Sequence, residues 1–348
     1  MGSPVNADAV IVGAGPCGLF AAFQLGIHGL QAHVVDALDR VGGQCIELYP
    51  DKPIYDIPAL PSVQAGELIG RLAAQAAPFA PRFHMGARVV ALEPQPDGRW
   101  QVAVDSGAVF STPVVVLATG GGSFTPRTPP NLSGLRAFEG TGVRYAVPRV
   151  DDHRGEQVVI AGGGDSAVDW AVELSSVAAG VVLVHQRDEL RAQPHNAARL
   201  QALVDAGKIR RLTGRVVGLH GDAPRLEAVS VKGREEEARL AADRLLVFFG
   251  FVMQESPIAG IGLDLVDGLV PVSTETFESG LPGLFAVGDA ATYPGKLKLI
   301  LSGFHEAALM AAAAARHCRP GLQLPFEYST SSVRFRDIAG PIRAGDPS

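Results

Sequence analysis

The sequence AVIVGAGPCG, residues 9–18, places four apolar residues directly before a glycine-rich turn. An apolar run such as Ala9–Val12 is typical of a strand buried on both faces, and the residues after the turn have helical spacing. In a GxGxxG turn, Gly13 permits the tight turn, Gly15 lets the backbone approach a pyrophosphate and Gly18 lets the helix pack on the strand. This stretch therefore predicts a Rossmann-like unit with a dinucleotide at its glycine turn.

The end of the next predicted strand supports a nucleotide site. Ala32–Val35 is apolar and is followed by Asp36, about 20 residues after the turn, where a carboxylate can accept both ribose hydroxyls of an adenosine. Because a carboxylate repels a 2′-phosphate, Asp36 favours FAD or NAD over NADP.

The same pattern recurs about 150 residues later. An apolar run, Val158–Ala161, is followed by GGGDSA, in which Gly162 and Gly164 fill the first two glycine places and Ala167 the third. Asp165 and Ser166 lie in this turn and are further candidates for cofactor contact. Two units indicate two dinucleotides, or one dinucleotide and an unused duplicate.

The two units differ at the end of the second strand. Val181–Val184 ends in His185, with Arg187 and Arg191 close behind. Cations at this place can pair with a 2′-phosphate, so the second unit favours NADP. The alternative is that both arginines are solvated charges at a helix start.

Two more strand-to-turn segments complete the pattern. Val114–Ala118 runs into Thr119–Gly121, which suits a crossing between domains. Leu284–Val287 runs into a turn that contains Asp289, whose carboxylate can bond a ribityl hydroxyl. Either segment alone is also compatible with an ordinary loop.

Composition excludes several classes of protein. The chain has 348 residues, 36 acidic against 30 basic side chains and a net charge of −6, which argues against a nucleic-acid or anionic-membrane binder. No run approaches the roughly 18 apolar residues of a membrane span, and the start does not resemble a signal peptide, so we expect a cytoplasmic protein. Its 3 cysteines form no CxxC, and neither a disulfide framework nor a metal site is expected.

Taken together, these motifs resemble the two-dinucleotide flavoprotein disulfide-reductase superfamily. Further segments, GGQC (42–45), LYPDKPIYDIP (48–58), GGGDSAVDW (162–170) and YSTSS (328–332), make the chain similar to its thioredoxin-reductase-like ferredoxin (flavodoxin) NADP reductases. The resemblance spans about residues 7–332.

The resemblance implies an α/β fold of low-molecular-weight thioredoxin reductase architecture, with two Rossmann-like, three-layer dinucleotide-binding domains. An FAD-binding domain of residues 1–120 and 250–332 is interrupted by an NADPH-binding domain of residues 121–249. Residues 333–348 form a C-terminal tail.

The resemblance also implies residue roles. Gly13, Gly15 and Cys17 line the FAD pyrophosphate, Asp36 takes the adenosine ribose and Val89 meets the adenine through its backbone. The residues expected near the flavin or its ribityl chain are Gln44, Tyr49, Phe124, Asp289, Tyr328, Ser329 and Thr330. Tyr49 and Tyr328 are the expected catalytic residues, stacking on opposite faces of the ring, with Tyr328 contributed by a second subunit of a homodimer. As alternatives, Tyr49 packs in its loop, Tyr328 belongs to a core strand and Phe124 makes no direct contact.

One departure from thioredoxin reductases bears on the reaction. Those enzymes carry a redox CxxC beside the GGGDSA helix, and this sequence has no cysteine there. The resemblance therefore implies that NADPH reduces FAD and that electrons leave the flavin singly to ferredoxin or flavodoxin. The alternatives are a diaphorase or oxidase, a dithiol reductase and a flavin-containing redox sensor. Gln186 stands where the family often has arginine, and this leaves the preference for NADPH over NADH open.

An acidic partner protein requires a basic docking patch. Six cations from segments flanking the flavin motifs are candidates: Lys52, Lys296, Lys298, Arg334, Arg336 and Arg343. His305 is expected on a helix face and not as a catalytic base.

Overall fold

The computed structural model describes residues 3–122, 124–130, 132–234, 236–253 and 261–321. The described residues form two compact units. The first combines residues 3–46, 52–122 and 261–321, and the second combines residues 47–51 with the described parts of 124–253.

The helices in the described part of the chain are α1 (Pro16–Ile27), α2 (Gln44–Glu47), α3 (Ala65–Ala76), α4 (Leu135–Phe138), α5 (Asp165–Leu174), α6 (Pro194–Asp205) and α7 (Ile300–Cys318). Helices α1 and α6 begin with proline, which suits the first helical position because an N–H there has no partner within the helix. None of the helices found among the described residues is long and apolar enough to cross a membrane.

The strands of the described residues are β1 (Val5–Asn6), β2 (Ala9–Val12), β3 (Ala32–Asp36), β4 (Pro53–Ile54), β5 (Val63–Gln64), β6 (Arg82–Met85), β7 (Val89–Pro94), β8 (Trp100–Val104), β9 (Val109–Thr112), β10 (Val114–Leu117), β11 (Phe124–Pro126), β12 (Val143–Arg144), β13 (Gln157–Gly162), β14 (Gly180–His185), β15 (Ile209–Thr213), β16 (Arg215–His220), β17 (Ala228–Lys232), β18 (Glu237–Ala241), β19 (Arg244–Phe248), β20 (Phe251–Met253), β21 (Val270–Pro271), β22 (Leu284–Ala286) and β23 (Ala291–Thr292).

The first unit is built on a five-stranded parallel sheet with the order β22-β10-β2-β3-β6. Because successive side chains of a strand point to opposite faces, Ile11 packs with α1 and α7 and Val10 packs toward the other side. That other side is covered by a second sheet, β1-β9-β8-β7, which contributes Trp100 and Phe110 to the core.

The second unit repeats this arrangement. Its parallel sheet has the order β12-β19-β13-β14-β15, with Ile160 facing α5 and Val159 facing the antiparallel sheet β16-β17-β18. Where the chain enters and leaves this unit, β11 and β20 pair antiparallel, with Phe124 opposite Met253.

The sheet order fixes the place of both glycine turns. The strands β2 and β13 are each the middle strand of five, with the next strand along the chain on one side and a later strand on the other. This reversal of strand order is the place where open α/β sheets bind ligands, outside the carboxyl ends of the strands. The three layers of each unit are those that the sequence predicted.

Candidate functional site

The turn after β2 is pressed against the neighbouring strands. Gly13 has a φ of +111°, and a Cβ atom added to it would lie 2.3 Å from the carbonyl oxygen of Ala118. Its N–H donates to the carbonyl of Val35 over 2.8 Å. Only glycine fits this position.

The other two glycines of the turn have opposite surroundings. A Cβ atom on Gly18 would lie 1.9 Å from the carbonyl oxygen of Gly13, because α1 packs closely on the turn. Apart from its chain neighbours and its own helix, no heavy atom of the described residues lies within 4 Å of the Cβ position of Gly15. The open side of the turn is therefore beside Gly15, where the sequence predicted a pyrophosphate.

Asp36 is tied to the turn by hydrogen bonds. Its Oδ2 accepts the N–H of Ala14 at 2.6 Å, and its Oδ1 accepts the N–H of Leu38 at 2.8 Å. A carboxylate has about four acceptor sites, so two remain for ribose hydroxyls. The carbonyl of Asp36 accepts the N–H of Ala87 at 2.9 Å, which brings Val89, at the start of β7, to the same end of the sheet.

Two further predicted residues lie by the same turn. Gln44 follows Gly43, and a Cβ atom on Gly43 would lie 3.1 Å from the Cα of Gly15. The Nε2 of Gln44 is 3.5 Å from the Cβ position of Gly120. Asp289 is half-buried in the short 3₁₀ turn Gly288–Ala290 after β22.

The side chain of Cys17 points into the protein interior. Its Sγ would be 3.0 Å from a Cβ atom on Gly288 and 2.2 Å from one on Gly303, so the thiol fills the gap between the Gly288–Ala290 turn and α7. Burial, with a smaller contribution from the carboxylates of Glu306 and Asp289, raises the pKa of this thiol to about 12. Only the backbone of Cys17 is suited to the pyrophosphate contact that the resemblance implied.

The turn after β13 repeats this geometry in the second unit. A Cβ atom on Gly162 would lie 2.7 Å from the carbonyl oxygen of Phe248. In the part of the chain that the structure describes, no such neighbour lies within 4 Å of the Cβ position of Gly164. Asp165 begins α5, and its Oδ1 accepts the N–H of Gln193 at 2.7 Å. Ser166 is exposed beside it.

His185 replaces the acidic anchor in the second unit. A Cβ atom on Gly163 would lie 2.4 Å from the imidazole, so the ring covers the turn. Its Nε2 is buried and has no hydrogen-bond partner among the described residues. Burial lowers the pKa of His185, and the positive charges of Arg211, Arg187 and Arg191 lower it further.

The two predicted arginines lie by this ring. The N–H of Arg191 donates to the carbonyl of Gly163 at 2.7 Å, which fixes its backbone to the turn. The side chains of Arg187 and Arg191 are exposed. They are free of ion pairs within the part of the chain that the structure describes, and are therefore open to an anion.

Two of the residues that were predicted near the flavin belong to the second unit. Tyr49 is half-buried and packs against the core of the second unit, on the side of α5. Phe124 begins β11 in the second unit. Tyr328, Ser329 and Thr330 lie outside the described residues, as do Arg334, Arg336 and Arg343.

One residue of the predicted basic docking patch was assigned wrongly. The side chain of Lys296 is only 6% exposed, because it forms an ion pair with the buried carboxylate of Glu306. It cannot contribute to a surface patch, whereas Lys298 is exposed and Lys52 is partly exposed.

A family model for pyridine nucleotide-disulphide oxidoreductases matches residues 7–316. The chain belongs to this family. Among curated proteins, it is 51% identical to a ferredoxin–NADP reductase of Parvibaculum lavamentivorans, over 97% of this chain and 98% of the relative. It is also 49% identical to a ferredoxin–NADP reductase of Beijerinckia indica, over 98% of this chain and 99% of the relative.

Solved structures of two thioredoxin reductases have the same architecture as this chain. The chain is similar to Lactococcus lactis thioredoxin reductase in its FR conformation, with a TM-score of 0.71 at 23% identity, covering 90% of this chain and 99% of that one. T. acidophilum thioredoxin reductase gives 0.71 at 22% identity, covering 89% and 98%. The predicted fold class and the resemblance to thioredoxin-reductase-like ferredoxin NADP reductases are confirmed.

The sequence reasoning missed one buried charged residue beside the turn that carries Asp289. Glu306, next to the exposed His305, is completely buried in α7. A signal was present, because Glu306 shares a helix face with the buried Gly303 and Met310, at spacings of three and four residues. A carboxylate on an apolar stripe indicates a buried partner. No group of three or more metal-ligating side chains was found among the described residues.

Proposed function

We propose that this chain is an FAD-dependent oxidoreductase that passes electrons between NADPH and ferredoxin or flavodoxin without a redox-active disulfide. The observation that carries the proposal is the difference between the two strand ends. Asp36 is an acceptor suited to a ribose, whereas Arg187 and Arg191 are exposed cations suited to a 2′-phosphate. The sequence identity of 51% and 49% to two ferredoxin–NADP reductases, over nearly the full length of the chain, supports the proposal.

The first unit fits FAD. The open space beside Gly15 and the amide groups at the start of α1 suit a pyrophosphate, since the first N–H groups of a helix lack partners within it. When bound, FAD would accept a hydride from NADPH and release electrons singly. Asp36 would hold the adenosine ribose, Val89 the adenine, and Asp289 a ribityl hydroxyl.

The second unit suits NADPH. Gly164 has the same open space as Gly15, and Asp165 and Ser166 begin the helix behind it. Because the pKa of His185 is lowered, its imidazole is neutral at pH 7 and the charge of a 2′-phosphate would be met by Arg187 and Arg191.

A dithiol relay is disfavoured by the cysteines. The sequence has 3 cysteines and no CxxC. The thiols of Cys17 and Cys318 have pKa values raised to about 12 and about 11, chiefly by burial, and a protonated thiol is a poor nucleophile. Electrons would therefore leave directly from the flavin to the partner protein.

Several finer points belong to the same proposal. We propose a cytoplasmic homodimer in which Tyr49 and Tyr328 stack on the flavin and Gln44, Phe124 and Thr330 lie near it. Lys52 and Lys298 would contribute to docking of an acidic ferredoxin or flavodoxin.

Purified protein tests the proposal directly. We expect a yellow protein that contains FAD and reduces cytochrome c with NADPH only when ferredoxin or flavodoxin is added. The matched control replaces NADPH with NADH, which should support a lower rate. Equal rates with and without the acceptor protein would favour a diaphorase, and a colourless protein that binds no FAD would refute the proposal.

A further inference from the structure

A buried charge network lies beneath the turn that carries Asp289. Glu306 is fully buried, and its Oε2 accepts the N–H of Gly288 at 2.6 Å. Its Oε1 accepts the hydroxyl of Tyr293 at 2.8 Å and forms an ion pair with the ammonium of Lys296.

A carboxylate without solvent needs such partners. Burying a charge is unfavourable unless it is paired and its remaining lone pairs accept hydrogen bonds. Glu306 has three donors, and Lys296 also lies 5.4 Å from the centroid of the Tyr293 ring. Burial and the hydrogen bond to Glu306 raise the pKa of Tyr293 to about 12, so this hydroxyl remains a donor at neutral pH.

The network holds the backbone of the turn that carries Asp289. Gly288 has a φ of +68°, and the residue after it is Asp289. The thiol of Cys17, from the first helix, also packs against Gly288. The turn is thus held by a carboxylate in α7 and by the start of α1.

We propose that Glu306 and Lys296 are a positioning pair that holds the Gly288–Ala290 turn so that Asp289 faces the ribityl chain, and that keeps the charge beneath the flavin balanced. This inference deepens the proposed function and rests on FAD binding to the first unit. Neither residue touches the reacting atoms.

Three variants separate positioning from general stability: Glu306→Gln, Lys296→Met and the double variant. The probe is FAD added to apoprotein, with its dissociation constant measured by quenching of flavin fluorescence. We expect Glu306→Gln to bind FAD about tenfold to a hundredfold more weakly, the range for loss of a buried hydrogen-bond partner. Glu67→Gln, in the exposed ion pair with Arg71, is the matched control and should bind FAD as the wild type does.

The flavin midpoint potential gives a readout that a merely structural role would not move. Glu306→Gln leaves the positive charge of Lys296 uncompensated and should raise the potential, because reduced flavin carries more negative charge. Lys296→Met should lower it, and the double variant should return toward the wild type. Shifts of the same sign in both single variants, or no shift in either, would overturn the proposal.

Amide hydrogen exchange of the apoprotein keeps the test independent of the cofactor. The N–H of Gly288 should exchange faster in Glu306→Gln than in the wild type, and Tyr293→Phe provides a milder change if the charge variants do not fold. An unchanged exchange rate at Gly288 in both variants would refute the pair's role in the turn. If the wild type binds no FAD, the proposed function fails, whereas this exchange result still decides whether Glu306 holds the turn.

Discussion

The two glycine turns agree at two places and differ at the third. Gly13 and Gly162 are both pressed against backbone, and Gly15 and Gly164 both face open space. At the third place the first unit has Gly18, with the carbonyl oxygen of Gly13 only 1.9 Å from its Cβ position, whereas the second unit has Ala167. The second place is thus open in both turns, whereas the residue at the third place depends on how closely the helix approaches the strand.

The strand ends differ in what holds the turn. Asp36 accepts the N–H of Ala14 and so joins the turn by a charged hydrogen bond. His185 covers Gly163 with a ring whose Nε2 has no partner among the described residues. Asp36 is a charged acceptor that is suited to a ribose, whereas His185 covers its turn, and the cations suited to a 2′-phosphate are the arginines beside it.

Exchanging the third residues should have the largest effect on the stability of the fold. Gly18→Ala would place a methyl group against the carbonyl of Gly13, and overpacking of this kind costs about 1–3 kcal/mol. We expect FAD affinity to fall at least about tenfold, measured by flavin fluorescence. Ala167→Gly, the reciprocal change, should lower the free energy of unfolding by only about 1 kcal/mol. Equal losses of FAD in the two variants would contradict the comparison.

The arginines should account for the choice of NADPH. Removing a hydrogen bond to a charged group costs about 1.5–3 kcal/mol, so Arg187→Ala and Arg191→Ala should each raise KM for NADPH about 10- to 100-fold. KM for NADH, which has no 2′-phosphate, should change little. Steady-state kinetics with both cofactors decide this, and equal changes for NADPH and NADH would show that the arginines are solvated surface charges.

The neutral state of His185 predicts a pH effect on stability. Because its pKa is lowered from 6.5 in the folded protein, the unfolded chain takes up this proton first as the pH falls below about 6.5. Stability should therefore decrease from about pH 7.5 to about pH 5.5, and by less in His185→Gln. The urea midpoints of both proteins at the two pH values measure the difference. Identical decreases would mean that His185 titrates normally.

The cysteines should give the smallest effect. At about pH 7.5, iodoacetamide should leave Cys17 and Cys318 of the native protein unmodified, because their raised pKa values keep them protonated. Peptide mass spectrometry after the reaction locates any modified thiol, and unfolded protein serves as the positive control. Inactivation that appears only after reduction with NADPH would instead indicate a dithiol enzyme.

The sequence predicted the residues that act within a few positions of one another. Gly13, Gly15 and Gly18 follow a buried strand, and Asp36 ends the next one, so a local pattern was sufficient. The inward direction of the Cys17 thiol was not predictable in this way, because it depends on a gap between Gly288 and Gly303, which lie far along the chain in a different segment. Lys296 was assigned to the surface for a similar reason, since its partner is known only once α7 packs beside the turn.

By itself the sequence determined two nucleotide-binding units, the acidic and basic strand ends and the lack of a paired cysteine, because each depends on residue type and short spacing. Only the tertiary structure decided which side chains lose water. Burial keeps His185 neutral and Cys17 protonated, and it makes Glu306 and Lys296 into partners. Charge and hydrogen bonding depend on the surrounding dielectric, and that is set by packing between segments far apart in the chain.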